Sequence, residues 1–104
     1  MRRGEVWWAN MDLPVGRRPV VLLSRDSAYD IRNAVTVAPV TRTIRGLPVE
    51  VVLDETDGMA VKCAANVDDI ATIRKSLLTE RITQLGQEKI GALNRAIIVA
   101  LDIR

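Results

Sequence analysis

The chain has 104 residues, of which 48% are hydrophobic and 27% are charged, so its size and composition are those of one globular domain spanning residues 1–104. Its apolar runs, such as residues 96–101, are far too short to cross a bilayer. The charged first residues lead into a segment in which apolar and polar residues alternate, rather than into the apolar stretch of a secretory signal. We therefore expect a cytoplasmic protein without a membrane span. Cys63 is the single cysteine and histidine is absent, which excludes an internal disulfide, a Cys/His zinc site and catalysis by imidazole.

Positive charge is concentrated in the first part of the chain, although the net charge is only +2. Residues 1–46 hold eight basic and four acidic side chains, whereas residues 47–104 hold seven and nine. The eight basic residues of the first part are all arginines: Arg2, Arg3, Arg17, Arg18, Arg25, Arg32, Arg42 and Arg45. A planar guanidinium suits phosphate oxygens, so the pattern indicates either a polyanion-binding face or a solvated, arginine-rich surface.

Four strands are predicted in the first half of the chain from alternating or continuous runs of apolar and β-branched residues. They are residues 3–10, 19–24, 34–41 and 49–53, joined by a connection at 12–16, a polar stretch with one helical turn at 25–33 and a loop at 42–48. Trp7 and Trp8 are neighbours on the first strand, so one should pack in the core while the other faces outward.

The second half is predicted to end in a helix. A turn at 54–58 precedes a fifth strand at 59–65, which contains a buried Cys63, and a helical turn near 75–78 precedes a short strand at 82–85. From residue 87 onward one helix face carries Ile90, Leu93, Ile97, Ile98 and Leu101. We expect that face to pack on the sheet or a second subunit. The predicted fold is mostly β: a small, strongly bent antiparallel sheet, partly closed into a barrel and capped by a C-terminal α-helix.

Five segments occur in an order that resembles the MazF/PemK family of toxin endoribonucleases, over nearly the whole chain. They are Arg3-Gly4-Glu5-Val6-Trp7, the run Arg18-Pro19-Val20-Val21-Leu22-Leu23-Ser24, the strand end Val37-Ala38-Pro39-Val40-Thr41, the pair Asp57-Gly58, and Val67-Asp68-Asp69-Ile70-Ala71-Thr72-Ile73. The resemblance implies an SH3-like barrel of the CcdB/PemK type and a homodimeric toxin neutralised by a cognate antitoxin. It also implies cleavage of single-stranded RNA at short sequences without a metal or other cofactor, by attack of the ribose 2′-hydroxyl on the adjacent phosphorus.

The resemblance assigns roles to individual residues. Arg18 looks like the family's arginine before the proline of the second strand, and it would stabilise the negative charge that builds up on the phosphate oxygens. Thr41 looks like the catalytic-loop threonine, and Asp68 aligns with a carboxylate of the proposed proton-transfer site. We expect RNA contacts from six further residues: Arg17, Arg25, Arg42, Thr43, Arg45 and Asn66.

Two departures from the family pattern leave the general acid open. The loop at 11–17 is shorter than in members with a glutamate there, and Arg17 stands in its place. Some members also carry an arginine where this chain has Asn66. The reaction would then depend on electrostatic stabilisation by Arg17 and Arg18, with solvent delivering the proton, or on a group that the pattern does not identify.

Two other functions fit the same fold class. One is a CcdB-like, non-enzymatic gyrase poison, although those proteins end in an aromatic-containing tail and this chain ends Leu101-Asp102-Ile103-Arg104. The other is a non-catalytic SH3-like module that binds RNA or a peptide.

Overall fold

A computed structural model describes residues 1–12 and 14–104, and within them the chain forms seven strands and two α-helices. The strands are β1 (Glu5–Asn10), β2 (Arg17–Leu22), β3 (Ala34–Thr41), β4 (Glu50–Leu53), β5 (Cys63–Asn66), β6 (Ala71–Arg74) and β7 (Leu78–Gln84). The helices are α1 (Ala28–Ile31) and α2 (Gln87–Ala100), and single 3₁₀ turns occupy Glu55–Asp57, Val67–Asp69 and Lys75–Leu77. The predicted connection at 12–16 includes Leu13, which lies outside the described residues.

The strands form one antiparallel sheet in the order β4-β5-β3-β2-β1-β7, with β6 paired to β3 outside this path. β3 pairs with β2 along one edge. Along its other edge, residues 34–37 pair with β6 and residues 40–41 pair with β5. β3 in this way joins the two parts of the sheet, and no ladder between β4 and β7 closes it within the described chain. The mostly β fold with a C-terminal helix is therefore confirmed, as an open sheet.

Both faces of the sheet are covered, which follows from alternation along the strands. Val21 on β2 belongs to a core cluster that α2 covers with Leu93 and Ala96. Its neighbour Val20 points to the opposite face and belongs to a second cluster with Tyr29 of α1. The two clusters make the central strands β1, β2 and β3 rigid supports for what lies at their ends.

No described helix is long and apolar enough to span a membrane, and α2 has only fourteen residues.

Most predicted strands need correction at their ends. β1 begins at Glu5 rather than residue 3, and β4 at Glu50 rather than residue 49. β2 spans Arg17–Leu22 rather than residues 19–24, β5 begins at Cys63 rather than residue 59, and the short strand predicted at 82–85 is the end of the longer β7. β6 was not predicted, because its alternation of apolar and polar residues extends over only four residues, three of which are exposed. The helical turn near 75–78 is confirmed as a 3₁₀ turn.

The C-terminal helix begins at Gln87 as predicted, but its inward face is narrower than expected. Leu93 is fully buried, and Ile90 and Ile97 pack against the first core cluster. Ile98 and Leu101 do not pack on the sheet, because they are 47% and 59% exposed, so of the two predicted contacts a second subunit is the one left for them. Ile98 is rotated about 100° from Ile97 around the helix axis, and Leu101 lies beyond the last helical residue.

Candidate functional site

A cleft of about 570 Å³ lies where the start of β2 meets the end of β3. We call it the arginine cleft, because its polar lining is three arginines and two threonines, with no acidic residue: Arg17, Arg18, Thr41, Arg42 and Thr43. The apolar lining consists of Trp8, Pro19, Val40, Met59, Ala60, Val61, Cys63 and Ile82. The cleft therefore combines positive charge with an apolar floor.

Strand register brings the polar residues together from distant parts of the sequence. Antiparallel pairing of Val20 with Pro39 places the start of β2 beside the end of β3, where Thr41 lies. Arg18 pairs with Ala9 of β1, a fully buried residue, so the backbone that carries its guanidinium is fixed by the sheet on the β1 side. The expected juxtaposition of Arg18 with Thr41 is therefore present.

The guanidinium groups of Arg18 and Arg42 are exposed, and neither makes an ion pair or a side-chain hydrogen bond within residues 1–12 and 14–104. Arg17 differs, since its Nη2 lies 3.5 Å from Oε2 of Glu80 and its Cζ lies 4.1 Å from the ring centroid of Trp8. Two of the three cations in the arginine cleft are thus available to an anionic ligand without breaking a contact.

Thr41 is oriented by a local hydrogen bond. The backbone N–H of Thr43 donates to Oγ1 of Thr41 at 3.1 Å, so the hydroxyl oxygen serves as an acceptor while its own proton remains available. A hydroxyl has one donor and two acceptor positions. Thr41 can therefore donate to a ligand oxygen in the cleft while the Thr43 amide holds it in place.

Asp68 and Asn66 do not line the arginine cleft. Oδ1 of Asn66 accepts a hydrogen bond from the backbone N–H of Asp68 at 3.0 Å, and its Nδ2 donates to Oδ2 of Asp69 at 3.0 Å, so Asn66 caps the 3₁₀ turn after β5. The expectation that Asp68 shares a cleft with Arg18 and Thr41 is not met. Its proton-transfer role stays a prediction without support from the cleft geometry.

Arg25 and Arg45 also lie outside the lining of the cleft. Arg25 is exposed in the turn before α1, and the backbone N–H of Arg45 donates to Oε1 of Glu50 at 2.9 Å, which orders the loop before β4. Both remain candidates for RNA contacts only beyond the cleft. Arg17, Arg42 and Thr43 are the predicted RNA-binding residues that the structure places beside Arg18.

The two tryptophans divide as their adjacency predicts. Trp7 packs against the second core cluster, and its indole Nε1 donates to Oε1 of Glu5 at 3.1 Å. Burial raises the pKa of Glu5, but hydrogen bonds from Trp7 and the Arg2 amide, together with the nearby N-terminus and Arg81, bring the net pKa below its ordinary value. Trp8 is the one that faces the arginine cleft.

Sequence reasoning missed the apolar wall formed by residues 59–61. The segment before it is held by a capping box, in which the backbone N–H of Asp54 donates to Oδ2 of Asp57 and Oδ1 of Asp54 accepts from the backbone N–H of Thr56. Gly58 follows with φ +92°, and a Cβ there would collide with Thr83, so the close packing of this turn on β7 requires glycine. The apolar sequence of residues 59–61 is typical of a strand, but these residues pair with no described strand and form a wall of the cleft.

The predicted packing role of Cys63 concerns the floor of the cleft. Cys63 is 2% exposed, and burial raises the pKa of its thiol, so it is a packing residue as predicted. Among the described residues, no three His, Cys, Asp or Glu side chains cluster as metal ligands would.

Comparison with known proteins gives consistent similarities along nearly the full chain. A family model described as "PemK-like, MazF-like toxin of type II toxin-antitoxin system" matches residues 2–101. The chain is 43% identical over 101 residues to the "Probable endoribonuclease MazF5" of Mycobacterium tuberculosis, covering 96% of this chain and 92% of that protein. It is 32% identical over 115 residues to the "Endoribonuclease MazF9" of the same organism, covering 99% and 98%.

Solved structures give the same picture for the fold. The "Mycobacterium tuberculosis toxin MazF-mt6" superposes with a TM-score of 0.89 at 32% identity, covering 96% of this chain and 98% of that one. An "Endoribonuclease in complex with its cognate antitoxin from Mycobacterial species" superposes with a TM-score of 0.87 at 24% identity, covering 100% and 97%. At that identity the second likeness concerns the fold alone.

Proposed function

The chain belongs to the PemK-like, MazF-like family of type II toxin–antitoxin toxins and is an endoribonuclease of that family, and on this premise we propose that it cleaves single-stranded RNA in the arginine cleft. The observation that carries the proposal is the lining of the cleft. Three guanidinium groups and two hydroxyls surround an apolar floor, and no carboxylate is part of this described lining, although Glu80 beside it pairs with Arg17. Such a site suits a phosphate flanked by bases, the repeating unit of single-stranded RNA.

We assign the reaction to transesterification within the substrate, as the family resemblance implies. The ribose 2′-hydroxyl attacks the adjacent phosphorus, the bond from phosphorus to the 5′-oxygen breaks, and the products are a 2′,3′-cyclic phosphate and a 5′-hydroxyl. Negative charge builds up on the non-bridging oxygens in the transition state. Arg18 stabilises this charge by donating to those oxygens, and the hydroxyl of Thr41 supplies a further, neutral donor.

Proton transfer is assigned to solvent. No acidic side chain is part of the described lining, the Glu80 carboxylate beside it pairs with Arg17, and the exposed Asp68 on the separate 3₁₀ turn does not line the same concavity. The chain therefore contributes mainly position and positive charge, which is the alternative that the missing loop glutamate and Asn66 favour. Arg17, Arg42 and Thr43 hold the RNA on either side of the scissile phosphate.

We further propose that the toxin acts in the cytoplasm as a homodimer that a cognate antitoxin neutralises, and that RNA cleavage there inhibits translation and growth. The family description supports the antitoxin. The exposed apolar side chains at the end of α2 support the dimer, because Ile98, Val99, Leu101 and Ile103 are 47–59% exposed. Exposed apolar patches of this kind mark protein–protein contacts. Sedimentation analysis of the wild-type protein and of Ile98→Asp measures the dimer directly.

The proposed activity is tested by incubating purified protein with a long RNA in EDTA and mapping the ends of the products. Cuts at defined short sequences that leave 5′-hydroxyl ends support the proposal, and persistence of the cuts in EDTA supports metal independence. Intact RNA together with stalled DNA gyrase would instead indicate a CcdB-like poison. Intact RNA that is bound without cleavage would indicate a non-catalytic binding module.

A further inference from the structure

Trp8 presents an aromatic face and an indole N–H that nothing in the proposed reaction uses. It stands on β1 between Pro19 of β2 and Glu80 of β7 in the strand registers. Its ring is partly buried and lines the arginine cleft, and its Nε1 has no hydrogen-bond partner within residues 1–12 and 14–104. Trp7, by contrast, has its ring in the second core cluster and its N–H on Glu5.

One face of Trp8 is covered by the guanidinium of Arg17, whose Cζ lies 4.1 Å from the ring centroid. The same guanidinium reaches Oε2 of Glu80 at 3.5 Å. The side chains of Arg17 and Glu80 are 50% and 71% exposed, so solvent screens this ion pair strongly. Arg17 therefore covers the tryptophan through contacts that a phosphate, a better acceptor for guanidinium, can replace.

We propose that Trp8 is a base-stacking platform of the arginine cleft, covered by Arg17 in the RNA-free protein and uncovered when an RNA phosphate draws Arg17 away from Glu80. A nucleobase next to the bound phosphate then stacks on the exposed indole face. The inference rests on the proposed function, because it names how the same cleft holds single-stranded RNA. It adds a contact to the nucleobase, which Arg17, Arg18 and Thr41 do not make in the proposed reaction.

The distribution of aromatic residues supports this assignment. The chain has two tryptophans, one tyrosine and no phenylalanine. Trp7 and Tyr29 both pack in the second core cluster, which leaves Trp8 as the aromatic ring that lines the cleft. Stacking on an aromatic ring accepts any base, so Trp8 contributes affinity and position, while the choice among bases falls to hydrogen-bonding groups around it.

The test compares two single-stranded oligonucleotides of equal length and charge, one of mixed sequence and one abasic. Both carry 2′-deoxyribose, so neither can be cleaved and binding is measured alone. The wild-type protein is expected to bind the base-bearing strand roughly five- to a hundredfold more tightly than the abasic strand. Trp8→Leu should lose most of this difference and bind the abasic strand within about twofold of wild type, because the arginines remain.

Trp8→Phe keeps an aromatic face and should keep most of the preference for bases. Thermal melting of each variant checks its fold, and Trp8→Phe decides the question where Trp8→Leu does not fold. The inference is overturned if the wild-type protein binds both strands equally, if Trp8→Leu weakens both by the same factor, or if Trp8→Phe loses as much preference as Trp8→Leu.

Glu80→Gln tests the covering role of Arg17. Removal of the carboxylate that competes for Arg17 should tighten binding of both oligonucleotides by about two- to fivefold. Glu88→Gln removes the same charge from a residue of α2 that neither lines the cleft nor pairs with Arg17, and its fold-change in Kd should be less than half as large. Equal effects of the two variants would overturn the covering role. Cleavage of RNA by the wild-type protein is scored separately: cutting without base-dependent binding refutes the stacking platform alone, and base-dependent binding without cutting refutes the proposed function alone.

Discussion

Replacing Arg18 with alanine should separate catalysis from folding. The guanidinium is exposed and makes no ion pair with any described residue, so its removal should change the free energy of unfolding by no more than about 0.5 kcal/mol. The backbone pairing of Arg18 with Ala9 does not involve the side chain. A urea titration of the variant should therefore overlay that of the wild-type protein within this limit.

The same substitution should cost most of the activity. Loss of one preorganised donor to a developing oxyanion typically lowers kcat by about 10²- to 10³-fold. Arg18 offers two donors and a full charge that stands unpaired in the arginine cleft, so we expect a loss of about 10³-fold or more. Arg18→Lys should retain part of the rate, because it keeps the charge but not the planar pair of donors.

Single-turnover cleavage of an oligonucleotide that carries the mapped cut sequence measures this loss without interference from product release. Arg32→Ala is the matched control, since Arg32 is an exposed arginine at the end of α1, outside the lining of the cleft. It should cleave at the wild-type rate. If Arg18→Ala is folded and cleaves within tenfold of the wild-type rate, phosphate stabilisation by this residue is refuted.

Three further predictions follow from single residues. Thr41→Ala should lower kcat by about 2- to 13-fold, less than Arg18→Ala, because a neutral hydrogen bond contributes about 0.5–1.5 kcal/mol. Leu53→Ala should lower the free energy of unfolding by about 2–5 kcal/mol in urea, because Leu53 is fully buried in the first core cluster. Tyr29 should titrate at about pH 12, since burial, assisted by the charge of Asp26, raises its pKa to about 12.

The controls for these predictions are specific. Thr41→Ser keeps the hydroxyl and should retain activity; a loss in Thr41→Ala equal to that in Arg18→Ala would reverse their ranks. A change below 1 kcal/mol for Leu53→Ala would mean that the core readily fills the space. Tyr29 is the only tyrosine, so phenolate absorbance reports on it alone. The folded protein keeps the Tyr29 phenol protonated at pH values above its ordinary pKa of about 10. The contribution of this group to the free energy of unfolding is therefore lost as pH rises toward 12. A midpoint near pH 10 in the folded protein would contradict the burial argument.

Local sequence patterns were sufficient to predict the position of the strand and the helix whose apolar periodicity is strong. β3 matches its predicted range, residues 34–41, and α2 begins at the predicted Gln87. Both are long enough for their alternation or helical spacing to dominate over neighbouring signals. The resemblance of motifs along the chain also identified the family that comparison of the whole sequence confirmed. That single residues such as Arg18 and Thr41 act in catalysis stays a prediction.

Local patterns failed where partners elsewhere in the chain decide the structure. β6 has an exposed sequence and is a strand only because β3 offers it an edge. Residues 59–61 are apolar enough for a strand, yet they have no partner strand and serve as a wall of the cleft. Asp68 lies only a few residues beyond Cys63, which lines the cleft, but the capped 3₁₀ turn after β5 carries it away from that concavity.

The sequence by itself determined that this protein forms strands with arginines at their ends and a terminal helix, because short-range periodicity is a local property. Its composition alone excluded catalysis by imidazole. Only the folded sheet decided that Arg17, Arg18 and Thr41 share one cleft with Trp8, while Asp68, Arg25 and Arg45 do not line it. The physical reason is strand register: which residues of β1, β2 and β3 stand opposite one another depends on burying two core clusters at once, and no short stretch of sequence contains that information.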